Sequence, residues 1–150
     1  MTGENNIAYP RVFNPGDPGI PDEGIIVGRG GGFTQVYDDL VILPNGLVRF
    51  MTYITEEATI PEDYESVRLL IDYPETFEQF LAELERINFR SINIKPPVST
   101  AWEYVVLIEK DKGSHAVIWA LNGDAPDELL SAAHFIRKRI AEKFTAMHGK

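Results

Sequence analysis

Hydrophobic positions in this chain change their period repeatedly, and each change marks an element. Ile25, Ile26 and Val27 form a short apolar run ahead of Gly28-Arg29-Gly30-Gly31-Gly32-Phe33, and Phe33 to Leu43 then mixes β-branched and aromatic residues with polar ones, as strands do. Pro44-Asn45-Gly46 interrupts that pattern. Asn-Gly between two such segments is a strong hairpin signal, so Leu47 to Ile54 is predicted to return antiparallel to Thr34 to Leu43. Val67, Leu69 and Ile71 alternate with Arg68, Leu70 and Asp72, the two-residue period of another short strand.

Beyond Asp72 the period lengthens to three and four. Asp72 and Glu75 have capping-box spacing with Pro74 in the first turn, and Phe77, Phe80, Leu81, Leu84 and Ile87 line one stripe of a helix that leaves Glu78, Glu83, Glu85 and Arg86 in water. Trp102 to Lys110 and His115 to Leu121, joined by the polar Asp111-Lys112-Gly113-Ser114, predict a second hairpin. If Val105 and Leu107 share a face with Ala116 and Ile118, and Val106 and Ile108 share the other with Val117 and Trp119, that hairpin is central and covered on both sides. A last helix starts near Asp124 and Pro126, with Asp127 and Glu128 in its first turn. Its stripe is Leu129, Ala133, Ile136, Ile140 and Phe144, and Arg137, Lys138, Arg139 and Lys143 oppose the negative end of its dipole.

Hairpins interrupted by helices, each helix with one apolar stripe to hide, give an α+β fold. The expected architecture is an antiparallel sheet of four or five strands with two helices packed on one face. Residues 24–150 form its single domain. Residues 1–23 hold Pro10, Pro15, Pro18 and Pro21 with Gly3, Gly16 and Gly19 and no sustained apolar period, which reads as a flexible leader. Its alternative role is an arm that docks on a partner or on the domain itself through Tyr9, Val12, Phe13 and Ile20.

Composition narrows the chemistry. At 150 residues the chain can bury a full core without staples, and with no cysteine it has neither disulfides nor a thiolate nucleophile or metal ligand. Net charge is −9, but residues 1–90 carry 16 acidic and 6 basic side chains while residues 91–150 carry 7 and 8, so a nucleic acid is not an expected partner. No stretch reaches the ~18 apolar residues of a spanning helix, so no membrane insertion is expected.

Four glycines in five positions need a physical reason, because each costs backbone entropy. A phosphate cradle is refused by context. A dinucleotide fingerprint requires glycine where Phe33 stands, a P-loop requires Gly-Lys-Ser or Gly-Lys-Thr, and no cofactor is expected. A tight connection or bulge that lets Phe33 enter the core is the structural alternative. His115, His134 and His148 have no zinc spacing, with His134 expected at the edge of the helix stripe and His148 in a frayed terminus. The serines lie in no nucleophile context, and Asp38-Asp39, Glu56-Glu57 and Glu62-Asp63 are carboxylate pairs that usually mark solvated surface. An enzyme is therefore not expected, although one acting through Asp38, Asp39 or His115 is a testable alternative. Trp102, Tyr104, Trp119 and Tyr53 read as core and cross-strand aromatics ahead of a binding surface.

The chain resembles a family of small bacterial envelope proteins typical of the Bacteroidota. The resemblance runs over residues 24 to 141. It rests on Gly30-Gly31-Gly32-Phe33-Thr34, the Asn45-Gly46 turn, Asn88-Phe89, the strand His115 to Trp119 and a final helix opening near a proline. More distantly the chain resembles emfourin-like inhibitors of thermolysin-like metalloproteases, which carry a Gly-Gly-Phe element and end in a strand pair and helix. Those inhibitors continue with a small residue and glycine, whereas Thr34-Gln35 stands here. Together the resemblances imply a non-catalytic protein-binding domain that presents Gly30, Gly31, Gly32, Phe33 and Thr34 to a protein partner, a protease in the emfourin-like version. The alternative is a structural or accessory subunit of a larger assembly. They also imply a place in the cell envelope or periplasm, with the cytoplasm as the expectation if Met1 is the native start.

Overall fold

Among the described residues, six strands and two α-helices follow one another in the order the sequence periods suggest. The structure is a computed structural model that describes residues 20–31, 36–54, 65–70, 74–94, 101–121, 123 and 125–148. Strands β1 (Gly24–Gly31), β2 (Val36–Ile42), β3 (Leu47–Ile54) and β4 (Glu65–Leu70) precede helix α1 (Pro74–Arg86). Strands β5 (Ala101–Glu109) and β6 (Gly113–Ala120) then lead to helix α2 (Asp127–His148). All pairings are antiparallel in one sheet of order β4-β3-β2-β1-β5-β6. The α+β class is as expected; the sheet has six strands because β1 is a full strand and not a short apolar lead-in.

Local chemistry fixes the turns. At the β2–β3 turn Gly46 takes a φ of 91°, and the Leu47 amide donates to Asn45 Oδ1 at 3.0 Å, closing the hairpin that Asn-Gly predicts. At the β5–β6 turn Asp111 lies at φ 65° and Gly113 at φ 79°, with Glu109 opposite Gly113 across three loop residues. That loop length sets the register: Val105 faces Val117 and Val106 faces Ala116. Val105 and Leu107 therefore share a face with Val117 and Trp119, one residue out of step with the grouping expected from the sequence. β6 is also an edge strand, so only β5 of this hairpin is interior.

Two cores lie on opposite faces of the sheet. The first joins Ile25, Val27, Ile42, Val48, Val105, Leu107, Val117 and Trp119 to the stripes of both helices, Phe77, Phe80, Leu84 and Ile87 from α1 and Leu129, Ala133, Ile136 and Ile140 from α2. Both helices thus cover one face. Edge-to-face packing of Phe80 on Phe135, with ring centroids 5.9 Å apart, ties the helices together. The second core holds Ile26, Tyr37, Val41, Trp102, Tyr104, Val106, Ile108 and Ile118, with Leu43 packed against it. Ile20, a residue assigned to the leader, is buried there, so the chain is anchored to the second face before β1 begins. Tyr9, Val12, Phe13, the Asp72 capping residue and Asp124 lie outside the described residues.

α1 ends through Asn88, which takes a left-handed φ of 57°; its amide reaches Glu85 O at 3.0 Å, and its carbonyl accepts from Ser91 Oγ at 2.7 Å. This reversal drops Phe89 into the first core, 1% exposed. α2 runs on through His148, which is helical and not frayed as expected.

Candidate functional site

As far as Gly31 the glycine run is strand, not loop. Gly28, Arg29, Gly30 and Gly31 pair without interruption with Asp39, Asp38, Tyr37 and Val36 on one side and with Tyr104, Glu103, Trp102 and Ala101 on the other. A bulge would break that register, so the bulge reading is corrected for Gly28 to Gly31, while the tight connection carrying Phe33 falls on residues outside those described. Their reason is packing. A Cβ on Gly28 would collide with the Asp39 carboxylate and stand 2.7 Å from Tyr104 Cε1, while one on Gly30 would lie 2.5 Å from Tyr37 Cγ and 2.6 Å from Tyr37 Cα. The close approach that glycine permits is thus made, at these two positions, by side chains of the chain's own neighbouring strands.

Around Gly28 the second face carries a buried acid. Asp39, 3% exposed, accepts a 2.5 Å hydrogen bond from the Tyr104 hydroxyl, and Tyr104 itself is 1% exposed. A carboxylate buried this deeply needs such donors to persist. Asp38, on the neighbouring position of β2, belongs to the opposite face and is exposed.

The helix-side face bears a charged row at the same level. Arg29 sits in register between Asp38 and Glu103. Glu103 Oε1 accepts 2.9 Å from Trp119 Nε1, and its other oxygen lies 3.6 Å from Arg137 of α2. Arg137 also donates to the Gly28 carbonyl at 3.2 Å. Burial pulls its guanidinium below the ordinary arginine value, the Glu103 charge opposes that pull, and Arg29 adds to it. Arg137 was expected to face the dipole at the end of α2; because the helix extends to His148, it is instead a mid-helix residue that clamps α2 to β1 and β5.

At the rim of this end of the sheet the side chains become small. β1 finishes at Gly31, which takes a φ of 111°, opposite Ala101 of β5. Gly30, Gly31, Ala101 and Ala120 are all partly exposed. Of the expected contact residues, Gly30 and Gly31 are therefore on a rigid, doubly paired strand, whereas Gly32, Phe33 and Thr34 lie outside the described residues.

The other singled-out residues divide between core and surface. His115 Nε2 donates to the Ile92 carbonyl at 2.9 Å while its ring stands edge-on to Phe89, centroids 5.2 Å apart. Trp102 and Trp119 are buried, as expected of core aromatics, and the side chain of Tyr53 is outside the described residues. His134 is exposed, contrary to the partly buried place expected of it, because its position on α2 turns away from the stripe through Ala133 and Ile136. Asp38, Asp39 and His115 are not brought together: Asp39 and His115 occupy opposite faces, and two strands, β1 and β5, stand between β2 and β6. Among the described residues no three His, Asp or Glu side chains are grouped as a metal site would need, and no helix is long and apolar enough to cross a membrane.

The feature sequence reasoning missed lies at the opposite end of the sheet. A cleft of about 220 Å³ has Phe77, Leu81 and Leu107 as its floor and Glu23, Lys110 and Lys112 on its rim. It is open to solvent, and its mixed charges select no one sign of ligand. No family model matches the chain, and no curated protein matches it as a relative.

Proposed function

We propose that this chain is a non-catalytic protein-binding domain of the bacterial envelope, which presents the end of the sheet at Gly30 and Gly31 to a protein partner. The observation behind this reading is the small-residue rim. β1 is held on both edges as far as Gly31, and there Gly31 meets Ala101 with both residues partly exposed. Backbone without bulky side chains, fixed on a doubly paired strand, is a surface that another polypeptide can approach closely at little ordering cost. Gly32, Phe33 and Thr34 continue directly from that rim in the sequence and complete the proposed contact.

A thermolysin-like metalloprotease is the partner class to test first, since the Gly-Gly-Phe resemblance leads there. The intact chain, titrated into such a protease with a reporter peptide, is expected to slow cleavage at micromolar concentration while remaining uncut. Gly32→Arg is expected to weaken that effect at least tenfold. Unslowed cleavage, or hydrolysis of the chain as a substrate, removes the inhibitor version.

A further inference from the structure

We propose that two copies of this chain associate through the outer edge of β6, pairing antiparallel to join their sheets about a two-fold axis. This goes beyond the binding surface at Gly30 and Gly31 and does not depend on it.

Hydrogen-bond parity shows which groups β6 offers. The Leu121 amide donates to the Ala101 carbonyl at 3.0 Å, and the β5–β6 register runs unbroken from Trp102↔Ala120 to Glu109↔Gly113. In an antiparallel pair, hydrogen-bonded and non-bonded residues alternate. Trp119, Val117 and His115 therefore spend their amides and carbonyls on β5, while Ala116 and Ile118 aim theirs outward.

The two edges of the sheet are defended differently. Natural edge strands discourage pairing with charges, prolines or bulges. β4 carries Glu65 and Arg68 within its six residues. β6 reads GSHAVIWA, has no Asp, Glu, Lys, Arg or Pro, and pairs with β5 without a bulge.

Charge and symmetry select a second copy as the occupant. A chain of net charge −9 repels itself over most of its surface, but residues 91–150, which include β6, hold 7 acidic and 8 basic side chains. An axis at Val117 places the outward groups of Ala116 opposite those of Ile118 in the second copy, and the reverse, which is the self-complementarity a two-fold contact requires. The same register sets Leu121, a large apolar side chain left 39% exposed, beside Gly113 of the second copy, where its surface can be covered.

The test is sedimentation velocity on the full chain from about 1 to about 200 µM, since self-association follows mass action. The wild-type chain is expected to reach the mass of two chains within that range. Ala116→Pro removes one outward amide while leaving the bonds to β5 intact, and Ala116→Lys brings two like charges together near the axis. Each variant is expected to weaken the dimer at least tenfold with unchanged far-UV circular dichroism. Should Ala116→Pro unfold the chain, Ala116→Lys decides alone. A wild-type chain that stays monomeric throughout, or a dimer of unchanged strength in a folded variant, overturns the proposal; a monomer would leave the Gly30–Gly31 surface untouched.

Discussion

A methyl group at Gly28 or Gly30 has no space to enter, because Asp39, Tyr104 and Tyr37 already occupy the volume above the strand. The obstruction at Gly30 includes the Tyr37 Cα, which cannot move without moving β2. Gly30→Ala is therefore expected to cost about 2 to 3 kcal/mol, at the upper end for overpacking, read as a lower midpoint in urea. Gly113→Ala makes the contrast: nothing stands within 4 Å of its Cβ, so only the strain of φ 79° remains, expected at about 1 to 2 kcal/mol. Equal costs at the two positions would contradict the packing account of the glycine run. A second residue-scale prediction concerns Arg90, whose Nε and Nη2 donate to the two Glu109 oxygens at 3.0 and 2.6 Å. That hydrogen bonding, with the charge of Arg90, holds the Glu109 carboxyl below its ordinary value of 4.5. A carboxyl depressed in the folded state adds stability above its unfolded pKa and loses it as pH falls through the folded value. The melting temperature of the wild type should thus exceed that of Glu109→Gln at pH 7, and the gap should close as pH drops below about 4.5. A gap that stays constant down to pH 3 would show that the carboxylate charge contributes nothing.

At the scale of elements, what was legible in the sequence is what local periodicity controls. The Asn45-Gly46 hairpin, the stripe of α1 from Phe77 to Ile87 and the buried face of α2 follow from two- and four-residue spacing, and the structure has them. Register across the second hairpin was not legible, because it depends on whether the turn holds an odd or an even number of residues; Asp111 in the left-handed region makes it three. The glycine run misled for a related reason. Its partners, Tyr37, Asp39 and Tyr104, come from two other strands, and nothing within the run records that their side chains fill its missing volume. Arg137 reads in sequence as a dipole partner because it adjoins Lys138 and Arg139, while its actual partners, Gly28 and Glu103, come from distant strands that no local pattern records. Its observed contacts give a prediction of their own: Arg137→Met keeps the side-chain stem but removes the bonds to Gly28 O and Glu103, leaving a half-buried carboxylate with Trp119 as donor. A loss of about 1 to 3 kcal/mol is expected, and Glu103→Gln in the same chain should recover part of it. If the double variant is no more stable than Arg137→Met, the two residues are not coupled.

For the molecule as a whole, stability is distributed by position in the sheet. β1 and β5 are each paired on both edges and covered on both faces, with Ile26 and Val106 at 0% exposure on one side and Ile25 and Val105 at 0% on the other. Their amides can exchange with solvent only when the sheet itself opens, so they should be among the slowest in the protein. β6 is the last strand of the sheet, and among the described residues no strand pairs with its outer side, so hydrogen exchange can read its two edges residue by residue. In monomeric Ala116→Lys, the Val117 and Trp119 amides, bonded to β5, should exchange slowly, while the Ile118 amide between them should exchange fast although its side chain is buried. In the wild-type chain at a concentration where it is dimeric, protection should appear at Ile118 and leave Val117 nearly unchanged, because only the outward amide gains a partner. Uniform exchange along β6 in the monomer would mean that the strand opens as a unit, and the alternation would then be lost from both measurements together.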